Sequence, residues 1–141
     1  MRSLDECSGP WRGRWFQPHS MYDEPQTGTE QVTIRFRGGV LEGEGEDHDG
    51  AFTFRGRYEG AKVQFLKTYR VKRWNVAHRM TYTGVWNGNF IGGLWMDNRD
   101  MTNRGPFELW PLSEESELSL SELNALVQSV GSETERELQL V

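Results

Sequence analysis

The 141-residue sequence predicts an all-β fold, an eight-stranded antiparallel up-and-down β-barrel followed by a short C-terminal helical tail. Three observations point there. Apolar and polar residues alternate with period two along several segments, as in strands that bury one face. Glycine, asparagine and aspartate pairs punctuate those segments at hairpin spacing. All 17 aromatic residues lie at or before Trp110, after which the composition changes abruptly. A chain of this length buries roughly two thirds of its unfolded surface, enough for one core without staples.

The first strand is expected over Pro10–Gln17, and the segment Pro18–Thr29 then connects it to the second. Val32, Ile34 and Phe36 alternate with Thr33, Arg35 and Arg37, and Gly38-Gly39 supplies a two-residue hairpin turn that tolerates positive φ. That turn sets Phe36 opposite Leu41, Arg35 opposite Glu42 and Ile34 opposite Gly43. The next strand, Val40–Glu46, points Leu41, Gly43 and Gly45 inward and its glutamates outward. A turn over Asp47–Gly50 leads to Phe52, Phe54, Gly56 and Tyr58 on the inner face and leaves Glu42 between Arg35 and Arg55. Small residues among large rings indicate tight curvature.

Glu59-Gly60 opens another turn into Ala61, Val63 and Phe65, a phase that carries Lys67 inward. After a connection at Val71–Asn75, a strand over Ala77–Trp86 reaches Asn87-Gly88, the strongest hairpin signal in the chain, and returns from Asn89 to Asp97. A regular two-residue turn there sets Met80 opposite Trp95 and His78 opposite Asp97, all on the face of Tyr82. Gly105–Leu112 supplies the eighth strand, with Pro106 and Pro111 at its ends.

Residues 1–112 hold 15 of the 16 Lys/Arg and 14 of the 21 Asp/Glu, so the barrel domain is nearly neutral and the tail, 113–141, is acidic. Ser119 with Glu122 and Ser132 with Glu135 form two capping boxes. Between them Leu123, Leu126, Val127 and Val130 make one apolar helical stripe, which docks on its own barrel or serves self-association or a protein partner's groove. Cys7 is the only cysteine, so neither an internal disulfide nor a C-x-x-C site is available. No apolar run approaches the roughly 20 residues that cross a bilayer. Asp5, Glu6, Arg12 and Arg14 occupy the stretch where a signal peptide needs an apolar core, so a soluble, cytoplasmic protein with no membrane partner is expected. Lys67–Arg79 carries five basic residues with Tyr69 and Trp74 and suits a phosphate or an acidic partner. The body as a whole is not basic, and no nucleic-acid partner is expected.

Short pieces follow one another in a recognisable order: Gly13-x-Trp15, Gly39-Val40-Leu41-x-Gly43, Gly56-Arg57-Tyr58, Val63-x-Phe65, Tyr69-Arg70, Ala77-His78, Tyr82-Thr83-Gly84 and Ile91 through Trp95. Over residues 11–98 this series resembles the avidin family, streptavidin-like barrels especially, within the broader calycin-like meanders. The resemblance implies a ligand-binding barrel with Trp95, Phe65 and Tyr82 as aromatic walls. It also implies that biotin has lost its polar partners. Gly45 stands where the family keeps a tyrosine on the ureido oxygen, Gln17 near its asparagine, and His78 and Met80 near its serine and threonine. Biotin itself is therefore not expected as the ligand.

The expected site has Trp15, Phe65, Tyr82 and Trp95 as walls and Gln17, Tyr58, His78 and Asp97 as orienting groups. The same aromatic residues also fit a filled interior. His78 and Asp97 suit a polar ligand end, an acid/base pair near neutral pH, or a simple hydrogen bond at the rim. No nucleophile accompanies them, so the protein is not expected to be an enzyme. Lys67 and Tyr69 either present a charge and a hydroxyl to a ligand or, in the case of the lysine, snorkel to water. Asp47-His48-Asp49-Gly50 lacks the remaining spacing of a calcium loop, so no metal and no cofactor are expected. The sequence thus suggests a non-catalytic binding protein for a small apolar or aromatic ligand. The alternative is a protein-interaction module with a filled barrel and a partner-binding acidic tail.

Overall fold

The hairpin alternation closes on itself in a computed structural model of the chain, which describes residues 2–18, 24–70 and 78–112. A 3-10 turn at Leu4–Glu6 precedes strands β1 (Gly9–Gln17), β2 (Gln26–Arg37), β3 (Val40–Asp47) and β4 (Gly50–Glu59). They continue as β5 (Lys62–Tyr69), β6 (Arg79–Trp86), β7 (Ile91–Asp97) and β8 (Arg104–Pro111). Each strand pairs antiparallel with its sequence neighbour, and β1 also pairs with β8, from Trp11 opposite Pro111 to Trp15 opposite Phe107. The result is an eight-stranded closed barrel in up-and-down order, compatible with a calycin-like or avidin-like fold. Among the described residues no helix is long and apolar enough to cross a membrane.

The first hairpin forms as the sequence requires. Gly38 and Gly39 have φ of +58° and +82°, the two positive values of a type I′ turn. Phe36 faces Leu41, Arg35 faces Glu42 and Ile34 faces Gly43. Glu42 also faces Arg55, so it does lie between the two arginines. The ion pair that forms is diagonal, with the Arg35 guanidinium donating to Glu44 at 2.6 and 2.9 Å. The ladder continues to Asp47 opposite Gly50, which leaves only His48 and Asp49 in the turn. Asp47 thereby keeps the inward phase of Leu41, Gly43 and Gly45.

The Asn87 hairpin departs from expectation. The Asn87 side-chain oxygen accepts the N–H groups of Asn89 at 2.8 Å and Phe90 at 2.9 Å, while the Asn87 N–H donates to the Phe90 carbonyl. These bonds hold a four-residue loop, which moves the register by two. Tyr82 now faces Trp95, and Met80 faces Asp97. An even shift leaves every side chain on its original face. Strand β2 begins earlier than expected, at Gln26, and β7 later, at Ile91. The Val71–Asn75 connection, Ala77, most of the basic Lys67–Arg79 stretch and the acidic tail from Ser113, with its stripe of Leu123, Leu126, Val127 and Val130, lie outside the described residues.

Inside, aromatic rings form a continuous stack. Phe54 and Phe65 lie 4.5 Å apart between centroids, Phe65 and Tyr82 5.0 Å, and Tyr82 and Phe107 4.6 Å. One end of the barrel is plugged by the N-terminal segment, which buries Leu4 and Cys7. Trp11 Nε1 donates to the Cys7 carbonyl and Trp86 Nε1 to the Arg2 carbonyl, both at 2.8 Å. Tyr58 joins the plug by donating its hydroxyl to the Asp5 carboxylate. The opposite end, where β1, β3, β5 and β7 finish, carries no such plug among the described residues.

A Cβ added at Gly43 would meet the Thr33 carbonyl oxygen at 2.7 Å, so backbone rather than a flexible side chain must yield. Gly43→Ile is expected to lower stability by about 1–3 kcal/mol, read from the denaturant midpoint. An unchanged midpoint would contradict the inward assignment.

Candidate functional site

The period-two phase of three strands delivers three charges to one interior layer. Glu30 on β2, Asp47 at the end of β3 and Lys67 on β5 have side chains no more than 1% exposed. Lys67 Nζ lies 2.5 Å from Asp47 Oδ2 and 3.4 Å from Glu30 Oε2. The latter oxygen makes no hydrogen bond to any described residue, so that contact is electrostatic attraction without bond geometry. Tyr82 donates its hydroxyl to Glu30 Oε1 at 3.2 Å, and Tyr69 donates to Asp47 Oδ2. The ammonium also sits over aromatic faces, 4.3 Å from the Phe52 centroid and 4.9 Å from that of Tyr69. Lys67 therefore does not snorkel. Asp47 anchors it below the rim, among the rings of Phe52 and Tyr69 and at the base of the cavity described next.

Two carboxylates facing one ammonium leave a surplus negative charge in a dry layer. Burial pushes the Glu30 carboxyl above its ordinary range, Lys67 opposes that shift, and the Asp47 charge adds to it. Tyr82 is raised well above its ordinary value by burial and then by Glu30, and Tyr69 by burial and its bond to Asp47. Both phenols are thus held as neutral donors.

Above this layer, toward the end where β1, β3, β5 and β7 finish, lies a cavity of about 80 Å³. Lys67, Tyr69 and Tyr82 form its floor, Trp15, Met80 and Trp95 its apolar wall, and Gln17, Asp49, His78 and Asn103 its rim. The rim is cross-linked. Gln26 donates to Gln17 Oε1 at 2.7 Å, and Gln17 donates to Asn103 Oδ1 at 2.9 Å. His78 Nε2 lies 2.9 Å from Asp97 Oδ2, while the Arg99 N–H donates to Asp97 Oδ1 at 2.9 Å. Burial alone would raise the Asp97 carboxyl, but the Arg99 N–H, His78 and the Arg99 guanidinium together hold it below its ordinary value. Trp95 Nε1 donates to the Phe16 carbonyl at 3.1 Å. Trp15 lies flat over Gly28, where an added Cβ would strike the indole at 2.2 Å. Its Nε1 is buried and has no acceptor among the described residues.

Five of the eight expected site residues meet at this cavity: Trp15, Gln17, His78, Tyr82 and Trp95. Phe65 lies one layer deeper, stacked on Tyr82. Asp97 stands behind His78 rather than on the lining. Tyr58 is at the plugged end, because β4 runs away from the mouth between Phe52 and Tyr58. Glu30 and Asp47 were not foreseen, although the alternation already in hand reaches both, two residues before Val32 and two after Gly45. At Gly45 an added Cβ would stand 2.3 Å from the Gln31 carbonyl and 2.7 Å from the Phe52 ring, which leaves no room for a tyrosine. Among the described residues, no group of three His, Cys, Asp or Glu is placed to hold a metal. No protein-family model matches the chain, and no curated protein matches it.

The raised Glu30 carboxyl gives stability a direction in pH. Folded Glu30 keeps its proton to higher pH than the unfolded chain, whose ordinary value is 4.5. Its contribution is complete below that value and is lost as pH rises through the folded one. Glu30→Gln mimics the protonated side chain. Thermal melts between pH 4 and 8 are expected to show the variant gaining on the native chain as pH rises above about 4.5. A difference that is flat in pH would show that Glu30 ionises freely.

Proposed function

We propose that this protein is a non-catalytic binding protein that holds a small, partly aromatic or apolar ligand in the open mouth of its barrel. The observation that carries this reading is the cavity itself. It lies at the end away from the N-terminal plug, with two indoles for walls and buried polar groups for a floor. A volume of about 80 Å³ is well below that of drug-sized sites, so the cavity takes the head of a ligand and the rest lies against Trp15 and Trp95. Below the cavity the interior is filled by rings, which confines the space for a ligand to the cavity itself. The fit to biotin fails at Gly45.

A second reading, a protein-interaction module, has one observation in its favour. Leu66, Val85 and Leu94 stand exposed on the outer faces of β5, β6 and β7. They stand on three neighbouring strands with Thr81 and Thr83 between them, an outer patch of mixed character available to a partner surface.

Saturation-transfer NMR with indole and 2-naphthol as probes distinguishes the two. Transfer to a probe is expected with the native chain. Met80→Trp, which fills the wall, should weaken that binding at least tenfold. Biotin at the same concentration should show no transfer. Absent transfer, or transfer indifferent to Met80→Trp, would remove the mouth from consideration and leave the outer patch.

A further inference from the structure

We propose that the mouth selects a neutral ligand headed by a hydrogen-bond acceptor, such as an amide or ketone oxygen, and that the Lys67 ammonium receives it. This deepens the binding reading above and rests on it. On the floor and wall of the cavity the unspent hydrogen-bonding capacity is donor capacity, and the Asp49 carboxylate lies out on the rim. An ammonium has three N–H donors, and Lys67, which lines the floor, spends one on Asp47 at 2.5 Å and faces Glu30 Oε2 at 3.4 Å. The Tyr69 and Tyr82 hydroxyls are already committed to Asp47 and Glu30. The remaining donor in the wall is Trp15 Nε1, buried without an acceptor among the described residues. On the rim, Gln17 and Asn103 are spent on each other. A ligand oxygen meets a need here that a ligand N–H does not.

The charges behind the floor then decide which oxygen. Lys67 is already paired with Asp47 at 2.5 Å, and Glu30 Oε2 stands 3.4 Å away on the same ammonium. A ligand carboxylate would place a further anion on an ammonium already paired in a dry site, and like charges held that closely repel strongly. A ligand ammonium at the floor would meet Lys67 itself, because Asp47 and Glu30 do not line the cavity and the Asp49 carboxylate is on the rim. A neutral carbonyl takes a charge-assisted hydrogen bond and adds no charge. The indoles of Trp15 and Trp95 remain for its aromatic part.

Four single-ring probes test this by titration calorimetry at pH 7: benzamide, benzoate, benzylammonium and toluene. Benzamide is expected to bind at least tenfold more tightly than each of the others. Lys67→Met combined with Asp47→Asn removes the ion pair without stranding either charge, and should bring benzamide down to the level of toluene. Near-UV circular dichroism checks the fold of the double variant. If it does not fold, the probe series on the native chain still decides the question. Benzoate or benzylammonium binding as tightly as benzamide would overturn the proposal, as would a folded double variant that still prefers benzamide to toluene. If none of the four binds while indole or 2-naphthol does, the acceptor-headed class fails and the binding mouth stands. If no probe binds at all, both fail.

Discussion

The pairing of β1 with β8 is the constraint on which the rest of this structure depends. Closure at eight strands fixes a narrow interior that every inward side chain must share. Large rings can occupy it only where a facing backbone comes close, hence Gly43 against Phe54 and Gly45 against Phe52. Closure also removes the edges through which water would otherwise reach the interior. That is why Glu30, Asp47 and Lys67 are dry although Asp47 borders a hairpin turn. In an open sheet the same residues would be half-solvated and their mutual attraction screened.

Burying charge in such a place works against stability. Each ion removed from water costs several kcal/mol, and a buried pair is often no better than well-packed apolar residues of similar volume. The barrel shows the alternative within itself. Deeper in the barrel, Phe54, Phe65 and Phe107 pack with aliphatic neighbours such as Ile34 and Leu109. Charges therefore occupy the layer that borders the cavity, and apolar side chains occupy the layer that does not. This distribution is the physical reason for treating the cluster as part of a site rather than as an accident of packing.

Most of the barrel was legible in the sequence because period-two alternation and turn chemistry are local. Gly38-Gly39 fixed one register outright. Asn87-Gly88 did not, because the Asn87 side chain captures two N–H groups and lengthens the loop, a choice made by side-chain geometry and not by composition. The faces survived that error since the shift was even. The site was less legible. Trp15, Gln17, His78, Tyr82 and Trp95 were found as inward residues near strand ends, but phase alone does not say which end, and Tyr58 went to the other one. Asp47 was hidden by its turn-like neighbours His48, Asp49 and Gly50. Glu30 was hidden because it lay just outside the segment where alternation was recognised. A lysine on an inward phase was the one local clue to both, since a dry ammonium requires a carboxylate within reach.

The two ends of the barrel use the same kinds of side chain to opposite effect. At the plugged end Trp11 and Trp86 donate to backbone carbonyls of residues 2 to 7, and Tyr58 to Asp5. Those donors are consumed in fastening the chain to itself, so that end has little left to offer a ligand. At the mouth Trp95 is spent in the same way on Phe16, whereas Trp15 is not, and Lys67 keeps a face toward the cavity. Since a buried donor without a partner is costly, native folds seldom keep one without reason. Lys67, which lines the cavity, has donors beyond the one given to Asp47. The N-terminal segment takes up such donors at one end of the barrel, and the binding reading proposed above assigns that part to a ligand at the other.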